Sequence, residues 1–516
     1  MARMKHLLPL TRRQTLAGLA AATSLPWLAP PAQAAAAVAA PVRGSVSLPP
    51  LGLRQRTLAN GLQVIALPDR STATVSVQVW YRVGGKDDPA GRSGFAHLFE
   101  HMMFKRTRHM PSETFDRLTE DVGGQNNAFT AEDTTAYQSE VPSNHLERLL
   151  WAEAERMSNL EVDQPSFDSE RAVVQEELRQ RVLASPYGRL FNALPGYAFE
   201  RHPYRRPVVG SIDDLNAATL DDVRAFHSTY YRPDNAVLIV AGDLDEARFD
   251  AAVDRYFGRI ARPAMPIPRV TVQEPPRQAD LRATQQAPRV PLPAVALIWK
   301  GPAARDEDAA ALDVASALLA GGESSRMNQA LVYRDRVAQA AGFQTHLNAD
   351  AGMLVAYAIA VGGQPAEQQL PALEKALMRE IESLARGPIR DAEFDKVRTQ
   401  LLTAALMERQ TPNGRAAAAG WAVIQYGDAR QAEQQLQRLQ AVRAADVQRV
   451  LRRHVLEAHR VTLSYVQAPD GAAGTGGDAS PAAAGPAAGA QPASAASPAS
   501  GAATPPPATT PTGSRP

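Results

Sequence analysis

Seven short stretches in which apolar and polar positions alternate, or in which apolar residues run on, predict β-strands. GLQVIALPD (61–69) and TVSVQVWYRVGG (74–85) come first, NNAFTAEDTTAYQSEVP (126–142) reads as one alternating strand, and NAVLIVAGDL (235–244) follows. AVALIWKG (294–301), MLVAYAIAV (353–361) and VTLSYV (461–466) complete the set. They are rich in β-branched and aromatic residues and are bounded by Gly, Pro, Asn or Asp. Between them the apolar period becomes helical: over 94–104, 112–121, long segments within 144–184, and a helix ending near 256. Beyond a Pro-rich stretch at 263–293 the order recurs loosely, with a helix over 306–319, another after the turn GGESSR (321–326), and a run of helices within 365–453. Strands in small clusters beside long helices predict an α+β fold of two related α/β sandwich domains in tandem. The repeat is one of element order, not of residues.

Both ends depart from this pattern. A basic start (Arg3, Lys5, Arg12, Arg13) precedes the apolar LAGLAAATSLPWLA and the small-residue site Ala32-Gln33-Ala34. This predicts an export signal over 1–34, cleaved near Ala34, and a mature chain in the periplasm or otherwise exported. TRRQTL (11–16) resembles the twin-arginine export motif; the alternative is a general secretory signal that happens to contain two arginines. The apolar stretch is short and broken by Pro26, so no transmembrane anchor is expected after cleavage. A linker is expected over 35–50. From 468 to 516 the chain is dominated by Ala, Pro, Gly, Ser and Thr, which predicts a disordered tail.

Composition narrows the chemistry. With 45% hydrophobic and 21% charged residues and a net charge of +1, nothing favours nucleic acid or an anionic membrane as partner. There is no cysteine, so disulfides and thiolate ligands are excluded, and any zinc must be held by His and carboxylate.

GFAHLFEHMMF (94–104) then stands out. In a helix, residues i, i+3 and i+4 share one face, so His97, Glu100 and His101 project together. Two imidazoles at that spacing can reach one ion, with the acid between them placed to take a proton from the attacking water. H-x-x-E-H is the inverted form of the metalloprotease motif H-E-x-x-H. With ten histidines in 516 residues, a chance match is on the order of 0.01. Two core histidines are the alternative, but burying three polar groups on one face without partners is costly. A third ligand is expected elsewhere, and the acidic helix ERAVVQEELRQR (170–181) offers Glu170 and Glu177, two turns apart on one face. A solvated acidic face is the alternative there.

With these stretches the sequence resembles the pitrilysin, or insulinase-like, family of zinc peptidases, in its bacterial subgroup similar to mitochondrial processing peptidase. The resemblance runs over about 51–467, strongly in the first half, and includes NGLQVIALPD, GRSGFAHLFEHMMFK, GGQNNAFTAEDTTAY and YYRPDNAVLIVAGDLD. In the second half GGESSRMNQAL carries it. It implies one Zn²⁺ held by His97, His101 and Glu177, with Glu100 as general base and Glu170 supporting a ligand from behind. It also implies that Asn127, Ala128, Phe129 and Thr130 lie on a strand that pairs with an extended peptide substrate, Tyr137 being near it or packed. The domains then read as a catalytic zinc peptidase domain over 51–262, a linker over 263–293 and a peptidase-like domain over 294–467.

The second half departs from the family. Relatives that bind substrate through it carry an Arg and, seven residues later, a Tyr after the turn, where this chain has Val332 and Gln339. Neither can support an oxyanion as those residues would. The resemblance therefore implies a heterodimer with a related chain that supplies both, a homodimer or a nearby Arg334 or Arg336 being the alternatives. Arg106, where relatives often have Gly, is a smaller departure. An exported zinc endopeptidase is the expected activity; a zinc-stabilised peptide-binding subunit with poor turnover is the rival.

Overall fold

The computed structural model describes residues 50–469. The predicted export signal, the linker before residue 50 and all but the first two residues of the predicted tail lie outside the described residues. The first sheet contains β1 (Arg54–Thr57), β2 (Gln63–Pro68), β3 (Thr74–Tyr81), β4 (Gln125–Thr130), β5 (Thr135–Pro142) and β6 (Ala236–Gly242), in the order β1-β2-β6-β3-β5-β4. The second contains β7 (Leu281–Ala287), β8 (Ala294–Gly301), β9 (Ala338–Leu347), β10 (Gly352–Ala360) and β11 (Arg460–Gln467), in the order β7-β11-β8-β10-β9. Leaving out β1, the two orders are the same. In each sheet one pair is parallel, β2 with β6 and β7 with β11, and the rest are antiparallel. The tandem α+β repeat expected from element order is thus present in strand topology.

The described helices of the first half are α1 (Phe95–Met102), α2 (Thr114–Glu120), α3 (Leu146–Asn159), α4 (Gln164–Leu178), α5 (Gly188–Ala198), α6 (Ile212–Ala217), α7 (Leu220–Tyr230) and α8 (Glu246–Tyr256). Those of the second are α9 (Ala309–Ala320), α10 (Ala366–Arg386), α11 (Asp391–Glu408), α12 (Pro412–Tyr426), α13 (Gln431–Ala441) and α14 (Ala444–Leu451). Among the described residues no helix is long and apolar enough to cross a membrane.

Side chains alternate across each sheet, so each must cover two faces. On β3, Val75, Val77, Val79 and Tyr81 join a core shared with most first-half helices, whereas Trp80 faces the other way. That second face is covered by α12, whose Ala416, Ala419, Ala422 and Val423 lie on Ile65, Trp80 and Ile239. Gly420 lets the α12 backbone rest on the indole, because a Cβ there would come within 2.2 Å of Trp80. The exchange is reciprocal: α5, through Leu190, Leu194 and Ala198, covers Ile298, Val355 and Leu463 on the free face of the second sheet. Each half therefore lends the other a helix.

A polar cluster also ties the halves. Lys86 reaches Asp133 and Asp350, both at 2.8 Å, the Tyr204 hydroxyl donates to Asp133 at 2.5 Å, and Ala349 N–H donates to Asp133 at 2.9 Å.

The local differences from expectation have physical reasons. The single strand expected over 126–142 is the β4–β5 hairpin, whose turn carries Asp133 into the polar cluster. β7 lies inside the Pro-rich 263–293 stretch and was not predicted; its LRATQQA is polar because it is an exposed edge strand. β9, AQAAGFQTHL, has the small residues of an edge strand with no strong alternation. The helix expected after GGESSR is a π-helical turn, Asn328–Arg334.

Candidate metal centre

α1 begins where its sequence allows no ordinary cap. Gly94 stands at φ 90°, a left-handed conformation natural to glycine, and a Cβ there would lie 2.9 Å from the Val209 carbonyl. The Asp88 carboxylate takes over capping, accepting from Gly94 N–H at 2.7 Å and Ala96 N–H at 2.8 Å. Phe95, Leu98, Phe99 and Met102 bury the apolar face, which turns His97, Glu100 and His101 toward α4 and β4. The helix ends at Met102, two residues earlier than expected, and Arg106 beyond it pairs with Glu161 at 2.8 Å.

α4 is set by Asp163, which accepts from Ser166 N–H at 2.8 Å with Pro165 in the first turn. Phe167, Glu170, Val174 and Leu178 are buried. Glu176 points outward to Arg179 and Gln180, and Glu177 points at the histidines.

Glu177 Oε2 lies 3.6 Å from His97 Nε2 and 3.5 Å from His101 Nε2. Ligand atoms at 2.0–2.1 Å around a tetrahedral zinc are about 3.3–3.5 Å apart, so the donor set has both the spacing and the composition of a His₂Glu zinc site. It is the group of three such ligands found among the described residues. His101 Nδ1 faces Glu170 at 3.5 Å, and Glu170 in turn holds Lys105 at 2.6 Å. Glu177 Oε1 forms an ion pair with the Arg181 guanidinium at 2.5 Å. His97 Nδ1 is buried and has no hydrogen-bond partner among the described residues.

The four groups are shifted in opposite directions. Burial and the neighbouring His101 push His97 down to about 4, keeping it neutral as a ligand must be. Burial opposes protonation of His101, but its hydrogen bonds to Glu170 and Glu177 win and raise it to about 9. A divalent ion competes with that proton. Against the cost of burial, the hydrogen bond with His101 and the charges of His97 and Arg181 bring Glu177 down to about 2. Glu100 goes the other way: burial raises it to about 7, although Thr130 Oγ1 donates to its Oε2 at 2.6 Å. A carboxyl poised near neutrality suits proton transfer in both directions.

Of the residues on the expected substrate strand, Thr130 turns its hydroxyl to Glu100, and Ala128 belongs to the core. Phe129 lies on the opposite face, stacked on Trp421 of α12 with centroids 5.5 Å apart. Asn127 Oδ1 accepts from Ala128 N–H at 2.9 Å. β4 is the last strand of its sheet, so one of its edges has no strand partner among the described residues. Tyr137 is fully buried, its hydroxyl 3.2 Å from that of Tyr231. Sequence reasoning missed the partners Thr130 has here, and also Lys105 and Arg181. The last two were readable as i+4 neighbours of His101 and Glu177. In the second half Val332 is half-buried on the π-helical turn and Gln339 is exposed on β9, while Arg334 is held by Asp335 at 2.7 Å and Glu380 at 3.4 Å.

Residues 63–211 match the insulinase family, peptidase family M16, and residues 217–401 match the peptidase M16 inactive domain. The zinc protease PqqE of Helicobacter pylori is 35% identical over 344 residues, 66% of this chain and 77% of that protein. A solved protease structure from Helicobacter pylori superposes with a TM-score of 0.76 at 30% identity, over 80% of this chain and 99% of the other. The periplasmic protease PqqL from Escherichia coli shares the fold, with a TM-score of 0.65 at 18% identity, over 82% of this chain and 48% of that one. On the family matches and on the PqqE relationship, the chain belongs to the insulinase (M16) family of peptidases, the pitrilysin-type family to which HLFEH points.

Proposed function

We propose that this chain is an exported zinc endopeptidase that hydrolyses peptide bonds in extended peptides or small unfolded chains. The observation that carries the reading is the convergence of His97, His101 and Glu177 on one point, with a buried Glu100 on the same face of α1. A zinc ion bound there supplies Lewis acidity and a more acidic water. Glu100 takes the proton from the attacking water and returns it to the leaving amine. Thr130 fixes the orientation of the Glu100 carboxylate through Oε2, leaving Oε1 for that exchange. Glu170 orients His101 through Nδ1, as carboxylates do behind metal-bound imidazoles. The edge of β4, Asn127–Thr130, that has no strand partner among the described residues suits main-chain pairing with an extended peptide, which gives affinity without demanding a sequence.

Val332 and Gln339 offer neither a guanidinium nor a phenol, and Arg334 is committed to two acids. We infer a heterodimer in which a related chain completes the substrate site. Periplasmic placement is supported by the predicted signal and by the periplasmic setting named for the PqqL neighbour.

The test is Glu100→Gln in mature protein, assayed on quenched peptides of mixed sequence, alone and with any related chain that co-purifies. Cleavage should fall by about 10²–10⁴-fold with zinc content unchanged. Equal cleavage by both proteins would remove Glu100 from the mechanism. Absence of cleavage in both, with zinc and partner present, would favour the peptide-binding subunit.

A further inference from the structure

The three ligand side chains differ in what stands behind them. His101 is backed by Glu170, and Glu170 by Lys105; His97 Nδ1 has no partner among the described residues; Glu177 is backed by a cation. Arg181 comes from the π-helical turn Arg179–Leu183 that directly follows α4, where Ala184 N–H donates to the Arg179 carbonyl at 2.7 Å. π-Turns inside helices collect at functional sites. This one leaves Arg181 one turn after Glu177, and the guanidinium pairs with Oε1 at 2.5 Å while Oε2 lies 3.6 Å from His97 Nε2 and 3.5 Å from His101 Nε2. The carboxylate's two oxygens are thereby divided between two tasks.

We infer that Arg181 is a positioning residue that holds Glu177 as a one-oxygen metal ligand and so keeps the fourth coordination position open for water. The inference rests on the zinc-site reading above and adds to it. A carboxylate freed at Oε1 can rotate and offer both oxygens to the ion, crowding the position the water needs. Arg181 itself does not need to touch substrate. Its side chain is 60% exposed, so its removal does not threaten the fold. Orientation of ligands from behind changes metal affinity or activity by about 10–100-fold. With Arg181 so exposed, the low end, about tenfold, is expected.

The experiment loads wild type, Arg181→Ala and Arg181→Lys with Co²⁺ alone and records the visible spectrum, then measures zinc affinity by chelator competition. Wild type should show the intense bands of four-coordinate cobalt. Arg181→Ala should shift to the weaker bands of five-coordinate cobalt, with zinc affinity down about tenfold and kcat reduced while KM stays within about twofold. Arg181→Lys, which keeps a donor for Oε1, should restore the wild-type spectrum. Arg181→Ala with an unchanged spectrum and unchanged zinc affinity would overturn the inference, as would failure of the lysine rescue. A wild-type protein that binds neither metal would overturn the zinc reading and this inference together, so the two failures are told apart.

Discussion

The two sheets follow one wiring diagram and carry different chemistry. In the first, the helix after β3 is FAHLFEHM, with three titratable groups on one face; in the second, the helix after β8 is AAALDVASALLA, whose Leu312, Ala315, Leu318 and Leu319 are buried. The first helix faces α4 and its acids, and the second has no histidine to offer one. The topology therefore explains where a site can form, between a helix and the edge hairpin, but not whether one does. That depends on a few side chains.

The comparison breaks most sharply at the ligands. His101→Ala should abolish stoichiometric zinc binding and peptide cleavage, because two remaining ligands do not hold the ion. Asp313→Ala, on α9, removes the hydrogen bond Thr345 makes to Asp313 at 3.0 Å and should leave zinc content unchanged. Metal analysis of the two variants decides it; zinc lost from Asp313→Ala would mean that the second half takes part in metal binding.

Smaller effects test the exchange of helices. Leu194 is 2% exposed on α5 and packs on the second sheet, so Leu194→Ala should cost about 2–5 kcal/mol. Because α5 belongs to the first half, calorimetry should show both halves destabilised in one transition. Two separated transitions, only one of them shifted, would show that the lent helix does not couple them. Gly420→Ala should cost about 1–3 kcal/mol, since the added methyl meets the Trp80 ring at 2.2 Å in a filled core. Thermal melting reads this directly. An unchanged midpoint would mean that α12 slides on the sheet without penalty.

These contrasts also separate what sequence could reveal from what it could not. The motif helix was legible because His97, Glu100 and His101 form a periodic pattern with one chemical meaning, whereas the acidic helix offered both Glu170 and Glu177 and only the family resemblance singled out Glu177. Buried strands such as β3 and β8 were legible because both of their faces are covered, giving long apolar runs. β7 and β9 were not, since edge strands need no strong pattern. The loan of α5 and α12 was hidden for a different reason. A helix rich in alanine, such as α12, states that it will lie close to something but not to what; the partner Trp80 is 340 residues away. Thr130 could be read as a strand residue but not as a partner for Glu100, because that contact depends on how β4 faces α1.

The smallest expected effect concerns the polar tie between the halves. Asp350, in the second half, is held below the usual carboxylate range by the His202 imidazole 3.5 Å away and, against partial burial, by Lys86 at 2.8 Å. A carboxyl depressed in the folded state stabilises fully above its unfolded value of about 3.9, and that contribution is lost as pH falls, because the unfolded chain takes up the proton first. Asp350→Asn lacks this term. The difference in melting temperature between wild type and variant should therefore be constant above about pH 5 and shrink below it. Other acids titrate equally in both proteins and cancel from the difference. Salt should shrink the gap too, since Asp350 is 35% exposed and its pairing is partly screened. A gap that stayed constant from neutral to acid pH would mean that Asp350 ties the halves through shape and hydrogen bonding, with its charge contributing nothing to the tie.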